Sequence, residues 1–92
     1  MNAEQIMRTI QTYEERLVAE GIPKVAMDSK RTFGSLSKAE ILAHAHYLID
    51  GVREYVKSPG REGKTNRHLA SIQMCLSFAD WYTLDELKDH NR

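Results

Sequence analysis

The run Gly60-Arg61-Glu62-Gly63-Lys64-Thr65 ends in the Gly-Lys-Thr of a phosphate-binding loop and leads into a segment expected to be helical. A Walker-type loop needs four residues between its two glycines so that backbone N–H groups can wrap a phosphate, and here there are two. No strand pattern precedes it. A weaker anion-binding reading survives. Arg61, Lys64, Arg67 and His68 gather near a helix start, where free N–H groups favour negative charge. With Tyr47 they form a candidate site for an anionic nucleotide.

The other reactive side chains are scattered. His44 and His46 are two residues apart, so on a helix they point to different sides and cannot share a metal ion. One packed and one exposed histidine is the expectation. Zinc sites need ligands paired at close spacing, and His44, His68, His90 and Cys75 show no such pairing. Cys75 lies among Met74, Leu76 and Phe78, which marks a buried, unreactive thiol. Glu14 and Glu15 are adjacent and splay apart, as on a wet helix face. No catalytic, metal or cofactor site is expected, and the chain does not read as an enzyme.

The elements that must position these residues are helices. Asn2 with Gln5, Ser37 with Glu40 and Thr83 with Glu86 each form a capping box, in which two side chains satisfy the free N–H groups of a first turn. The first helix is expected over residues 3–20, with Ile6, Ile10, Tyr13 and Leu17 on one face. Gly21 reads as its left-handed cap, followed by Ile22 and Pro23. Residues 21–36 form a connector, pinned by Val25, Met27 and Phe33, with a short helical turn expected near 25–30. The second helix is expected over 38–57, its wide apolar stripe built on Ile41, Ala45, Leu48, Val52 and Tyr55. Gly51 interrupts it, which suits the close approach of another backbone. The third is expected over 65–81, and a short fourth over 84–90. A short loop between helices two and three makes them an antiparallel hairpin. The architecture is therefore all-α: a three-helix bundle with a central helical hairpin and a short C-terminal helix, in a single domain spanning 1–92.

The third helix carries two apolar faces. Leu69, Ile72, Leu76 and Ala79 make one; Met74, Phe78 and Trp81 make the other. A bundle of this size cannot bury one helix on every side, so either the chain's own ends cover the second face or another chain does. Met74, Phe78 and Trp81, rimmed by Arg61, Lys64 and Arg67, are the candidate partner-binding residues, since aromatic anchors inside a charged rim make hot spots.

Composition narrows the classes further. Thirteen basic and thirteen acidic residues cancel, so bulk charge does not call for a polyanionic partner. Two basic clusters, Lys24 to Lys38 and Lys57 to Arg67, keep nucleic-acid binding as a lesser alternative. No apolar run approaches the roughly 20 residues of a membrane span, and residues 1–10 do not resemble a signal peptide. A single cysteine allows no internal disulfide.

From Phe33 onward the chain resembles a family of small proteins encoded by tailed bacteriophages. The matching stretches are Phe33-Gly34-Ser35-Leu36-Ser37 into Glu40-Ile41-Leu42-Ala43-His44, then Asp50, the basic loop, and the ending Trp81-Tyr82-Thr83-Leu84-Asp85-Glu86-Leu87-Lys88-Asp89-His90-Asn91-Arg92. The loop between helices two and three, with Ser58-Pro59-Gly60 and Gly63, is longer here than in that pattern. The resemblance implies a viral accessory protein working in the bacterial host cytoplasm. Its expected partner is a host or anti-phage defence complex, which it would inhibit by protein–protein contact in the manner of anti-CRISPR proteins. A homo-oligomer, dimeric or higher, is also expected. One alternative is an oligomeric sponge for an anionic signalling nucleotide.

Overall fold

The structure, a computed structural model describing residues 1–92, is all-helical. Its elements are α1 (Ala3–Ala19), α2 (Lys38–Val56), α3 (Glu62–Phe78) and α4 (Leu84–His90), with a 3-10 turn at Phe33–Ser35. All three capping boxes form. The Asn2, Ser37 and Thr83 side chains accept from the backbone N–H of Gln5, Glu40 and Glu86, whose side chains accept in return from the cap N–H groups. Those bonds also hold the Glu40 and Glu86 carboxyls below their ordinary pKa.

Helix α1 stops in a Schellman motif. Gly21 takes φ 71°, its N–H donates to Val18 and the Ile22 N–H donates to Leu17. Helix α3 stops in the same way, three residues before the sequence suggests, and with Asp80 in the left-handed position at φ 65°. The Asp80 N–H donates to Ser77 and the Trp81 N–H to Leu76. A carboxylate residue is one of the few non-glycine types that tolerates this conformation, and Asp80 also pairs with Lys38 at the start of α2. Helix α3 likewise starts three residues earlier than expected. Thr65 is not a cap: its side chain is buried and its hydroxyl donates to the Arg61 carbonyl one turn back.

Three close pairs fix how α2 meets α3: Lys38 with Asp80, Gly51 with His68, and Tyr55 with Lys64. Numbers fall on one helix as they rise on the other, so the hairpin is antiparallel. Gly51 is present for space, though against a side chain rather than a backbone. A Cβ there would lie 3.2 Å from Cδ2 of His68. Helix α1 crosses the same pair parallel to α3: Ile6 sits beside Val56 and Thr65, Tyr13 meets Gln73, and Arg16 reaches Trp81. The apolar core is one cluster drawn from α1, α2 and α3, centred on Ile10, Leu17, Ala45, Ile49, Val52, Ile72 and Leu76, all fully buried.

The connector is not helical at 25–30. It runs extended and antiparallel to α2, then turns at Asp28–Arg31, where the Asp28 side chain accepts from the Lys30 N–H. Backbone and histidine contacts hold it more than its apolar residues do. The Val25 N–H donates to the Ala43 carbonyl, the Met27 N–H donates to Nδ1 of His44, and His46 donates from Nδ1 to the Ile22 carbonyl at 2.7 Å. Val25 and Phe33 stay largely exposed. Both α2 histidines are therefore packed, where one exposed ring was expected. Glu14 also departs from the wet-face reading. It takes a two-pronged ion pair from Arg53 at 2.7 and 2.8 Å, while Lys24 joins Glu14 to Asp50. The Arg53 guanidinium holds the Glu14 carboxyl below its usual range.

The C-terminal residues close the bundle. The buried Tyr13 hydroxyl accepts from Nε2 of Gln73 at 3.1 Å and donates to Nδ1 of His90 at 2.7 Å. Asn91 exchanges amide hydrogen bonds with Gln73. Burial pushes the Tyr13 pKa up to about 12, so the phenol stays protonated. Tyr82 stacks edge-on against His90, and Leu87 fills the remaining gap. Removing the hydroxyl alone tests this lock. Tyr13→Phe leaves the Gln73 amide and the His90 nitrogen short of a partner, and the expected loss is about 1–3 kcal/mol. It should show as a lower urea midpoint at unchanged slope; an unmoved midpoint would show that the network does not hold the ends.

Candidate functional site

Eight large apolar side chains are strongly exposed; three of them, Phe33, Met74 and Phe78, line one groove on the outer side of α3, and a fourth, Tyr47, is joined to Phe33 through the His44 ring. The convergence follows from the register. Tyr47 lies across from Ser71 and His44 across from Met74, and the 3-10 turn lowers Phe33 onto the same end. Phe33, Ala70, Ser71, Met74, Cys75 and Phe78 line this groove, which is almost wholly apolar. Met74 and Phe78 keep 50% and 58% of their surface, so this chain does not cover them. Tyr47, Leu48, Asp50, Gly51, Tyr55 and His68 line a second, separate cleft between the same two helices. There Lys64 sits over the Tyr55 ring, its Nζ 4.4 Å from the centroid, and the His68 ring packs edge-on to Tyr55.

Helix geometry puts charge and grease on one strip. Arg67, Ser71, Met74 and Phe78 follow one another at spacings of four, three and four, which is a single helix face. Arg67 and Arg61 are exposed and Lys64 is half-buried. None of the three has an ion-pair partner in the chain.

Trp81 does not share this strip. Because α3 ends at Phe78, the left-handed turn at Asp80 sends the chain back toward α1. Trp81 packs on the core there, with the Arg16 guanidinium 4.0 Å above its ring. Of the five anion-binding candidates, Tyr47 and His68 line one cleft and Lys64 borders it, while Arg61 and Arg67 do not line it. Asp50 does, which sets a carboxylate where an anion would bind. The histidines are committed to separate partners: His44 to Met27, His46 to Ile22, His68 to the Lys64 carbonyl and His90 to Tyr13. No cluster of three or more His, Cys, Asp or Glu is placed to hold a metal ion. Cys75 forms part of the groove floor, 1% exposed, and burial lifts its thiol pKa to about 11. It is a poor nucleophile at neutral pH. No helix is long and apolar enough to cross a membrane.

Comparison with protein-family models, with curated proteins and with solved structures finds no match for this chain.

Sequence reasoning missed the role of His44, which governs one wall of the groove. Its Nδ1 accepts the Met27 N–H at 3.1 Å, and its ring lies between the edge of Phe33 and the face of Tyr47. Acceptance at Nδ1 requires the unprotonated ring nitrogen. Burial lowers the His44 pKa below its ordinary 6.5. The folded chain therefore binds this proton less readily than the unfolded one, and the stabilisation is complete above about 6.5. It is lost as pH falls through the depressed folded value. The expected outcome on acidification from neutral pH is loss of hydrogen-exchange protection at the Met27 amide, with Phe33 signals moving together with it. Equal protection at both pH values would remove His44 as the holding group. The same pH dependence should vanish in His44→Asn.

Proposed function

We propose that this chain is a phage-encoded, non-enzymatic binding protein that inhibits a host or anti-phage defence complex by protein–protein contact, in the manner of an anti-CRISPR protein. One observation carries the reading: three strongly exposed large apolar side chains, Phe33, Met74 and Phe78, gather in a single groove, with Tyr47 beyond the His44 ring at its edge. Contiguous apolar surface on a small domain marks a place where another molecule sits, whereas scattered apolar residues need no such account. The resemblance of the stretches 33–37, 40–44 and 81–92 to small tailed-phage proteins is the ground for a bacterial host setting. The scattered, individually engaged histidines and the high-pKa cysteine favour binding over catalysis.

The groove is where the contact is made. Met74 and Phe78 are its anchors, Phe33 is its flanking wall, and Tyr47 stands at its edge. Trp81, committed to the α1 side, is replaced in this role by Phe33. Anchors of this kind each contribute about 2 kcal/mol or more when they are truncated in a packed interface.

The test is co-purification from bacterial lysate with the wild type and a Met74→Glu, Phe78→Glu double variant. Both side chains project from the surface, so the variant should keep its helical circular dichroism and its melting temperature within a few degrees. Proteins captured by the wild type should be absent from the variant. Identical capture by a folded variant would overturn the groove as the binding surface.

A further inference from the structure

We propose that the groove receives an acidic amphipathic helix of a partner protein, an inference that rests on the protein-binding reading above and adds the chemistry of the partner. Charge complementarity carries it. Six basic side chains, Arg8, Lys24, Arg31, Lys38, Arg53 and Arg92, have carboxylate partners within the chain, and Arg16, Lys30 and Lys88 stand singly without one. The segment from Lys57 to Arg67 is different. Between Lys57 and Arg67 the chain holds four cations and one carboxylate, Glu62, so four less one leave +3 in a chain whose total is zero, and none of the four has an ion-pair partner. Helix α3 carries no carboxylate after Glu62. The α3 side of the groove is thus basic, and the Asp50 carboxylate on the α2 side is already paired with Lys24 and Arg53.

Spacing then favours a helix as the occupant. From Arg67 to Phe78 is about 16 Å along the axis, three turns, with Met74 between them on the same face. Ala70 and Ser71 are small, and this lets a second helix axis come within the usual 8–10 Å. A partner helix laid along the strip would set apolar residues spaced four and three apart against Phe33, Met74 and Phe78. Its carboxylates, one or two turns on, would reach Arg67 and Lys64. A nucleic acid would satisfy the cations and leave Phe33, Met74 and Phe78 in water. A second copy of this chain laid groove to groove would set Arg67 and Lys64 against the same cations of the other copy.

The probe is a labelled synthetic helix with leucines at positions spaced four and three apart and glutamates on its flanks, titrated against the full chain by fluorescence anisotropy. Its counterpart carries lysines in place of the glutamates. The glutamate peptide should bind at least about tenfold more tightly than the lysine peptide, and added salt should weaken it. Lys64→Glu with Arg67→Glu should reverse that preference, and Phe78→Asp should weaken both peptides. Equal binding of the two peptides, binding of neither, displacement by duplex DNA, or self-association of the chain through this face by light scattering would each overturn the proposal. The two readings fail separately in the lysate experiment. If the charge-reversed variant keeps the proteins that the Met74→Glu, Phe78→Glu variant loses, the groove stands and the acidic partner falls. If both variants keep them, the groove falls as well.

Discussion

The close seating of α2 on α3 is the constraint on which the other features depend. It runs in one register from the Lys38–Asp80 ion pair to the Lys64–Tyr55 contact, and at its middle it needs a residue without a side chain, because His68 occupies the space at Gly51. Glycine in a helix interior costs about 1 kcal/mol relative to alanine. That cost is met by the depth to which Ile49, Val52, Leu69 and Ile72 are buried between the two helices. Once the hairpin is set, the seam on its outer side is set too. Phe33, Met74 and Phe78 share one groove there, and the His44 ring on α2 links Phe33 to Tyr47, although no two of these residues are adjacent in the chain.

Much of this is legible in the residues. Capping boxes are local, and each involves a side chain and a backbone N–H only three residues apart, so the starts of α1, α2 and α4 can be read without knowledge of the fold. The start of α3 cannot. Arg61 caps nothing with its side chain, Gly63 weakens the first turn, and Thr65, the residue that looks like a cap, turns inward. The end of α3 is obscured for a related reason: the left-handed position is filled by Asp80, which carries no glycine signal. Both errors move α3 by the same three residues. They explain why Met74 and Phe78 belong to the groove while Trp81 does not.

The polar residues were the hardest to place, because their partners are distant in sequence. Glu14 finds Arg53 across 39 positions and Tyr13 finds His90 across 77. Periodicity marks Tyr13 as core without revealing that its hydroxyl has two partners. The histidines divide the labour of closing the molecule. His44 and His46 hold the connector on α2, and His90 holds the C-terminal helix on α1. Buried hydrogen-bonded groups of this kind contribute about 1 kcal/mol each when satisfied and cost more when orphaned, so they select one arrangement of the ends more than they strengthen it. The ending Trp81 to Arg92 is thereby accounted for as architecture: Tyr82, Leu87, His90 and Asn91 all point back into the bundle.

Trp81 is the sole indole in the chain, and it sits beneath the Arg16 guanidinium beside Tyr82, on the side where the first and last helices come together. A cation stacked over an indole holds it in one polar environment, so its emission follows whether the two termini are joined. The molecule therefore carries a single built-in optical gauge at the place where its two ends are joined.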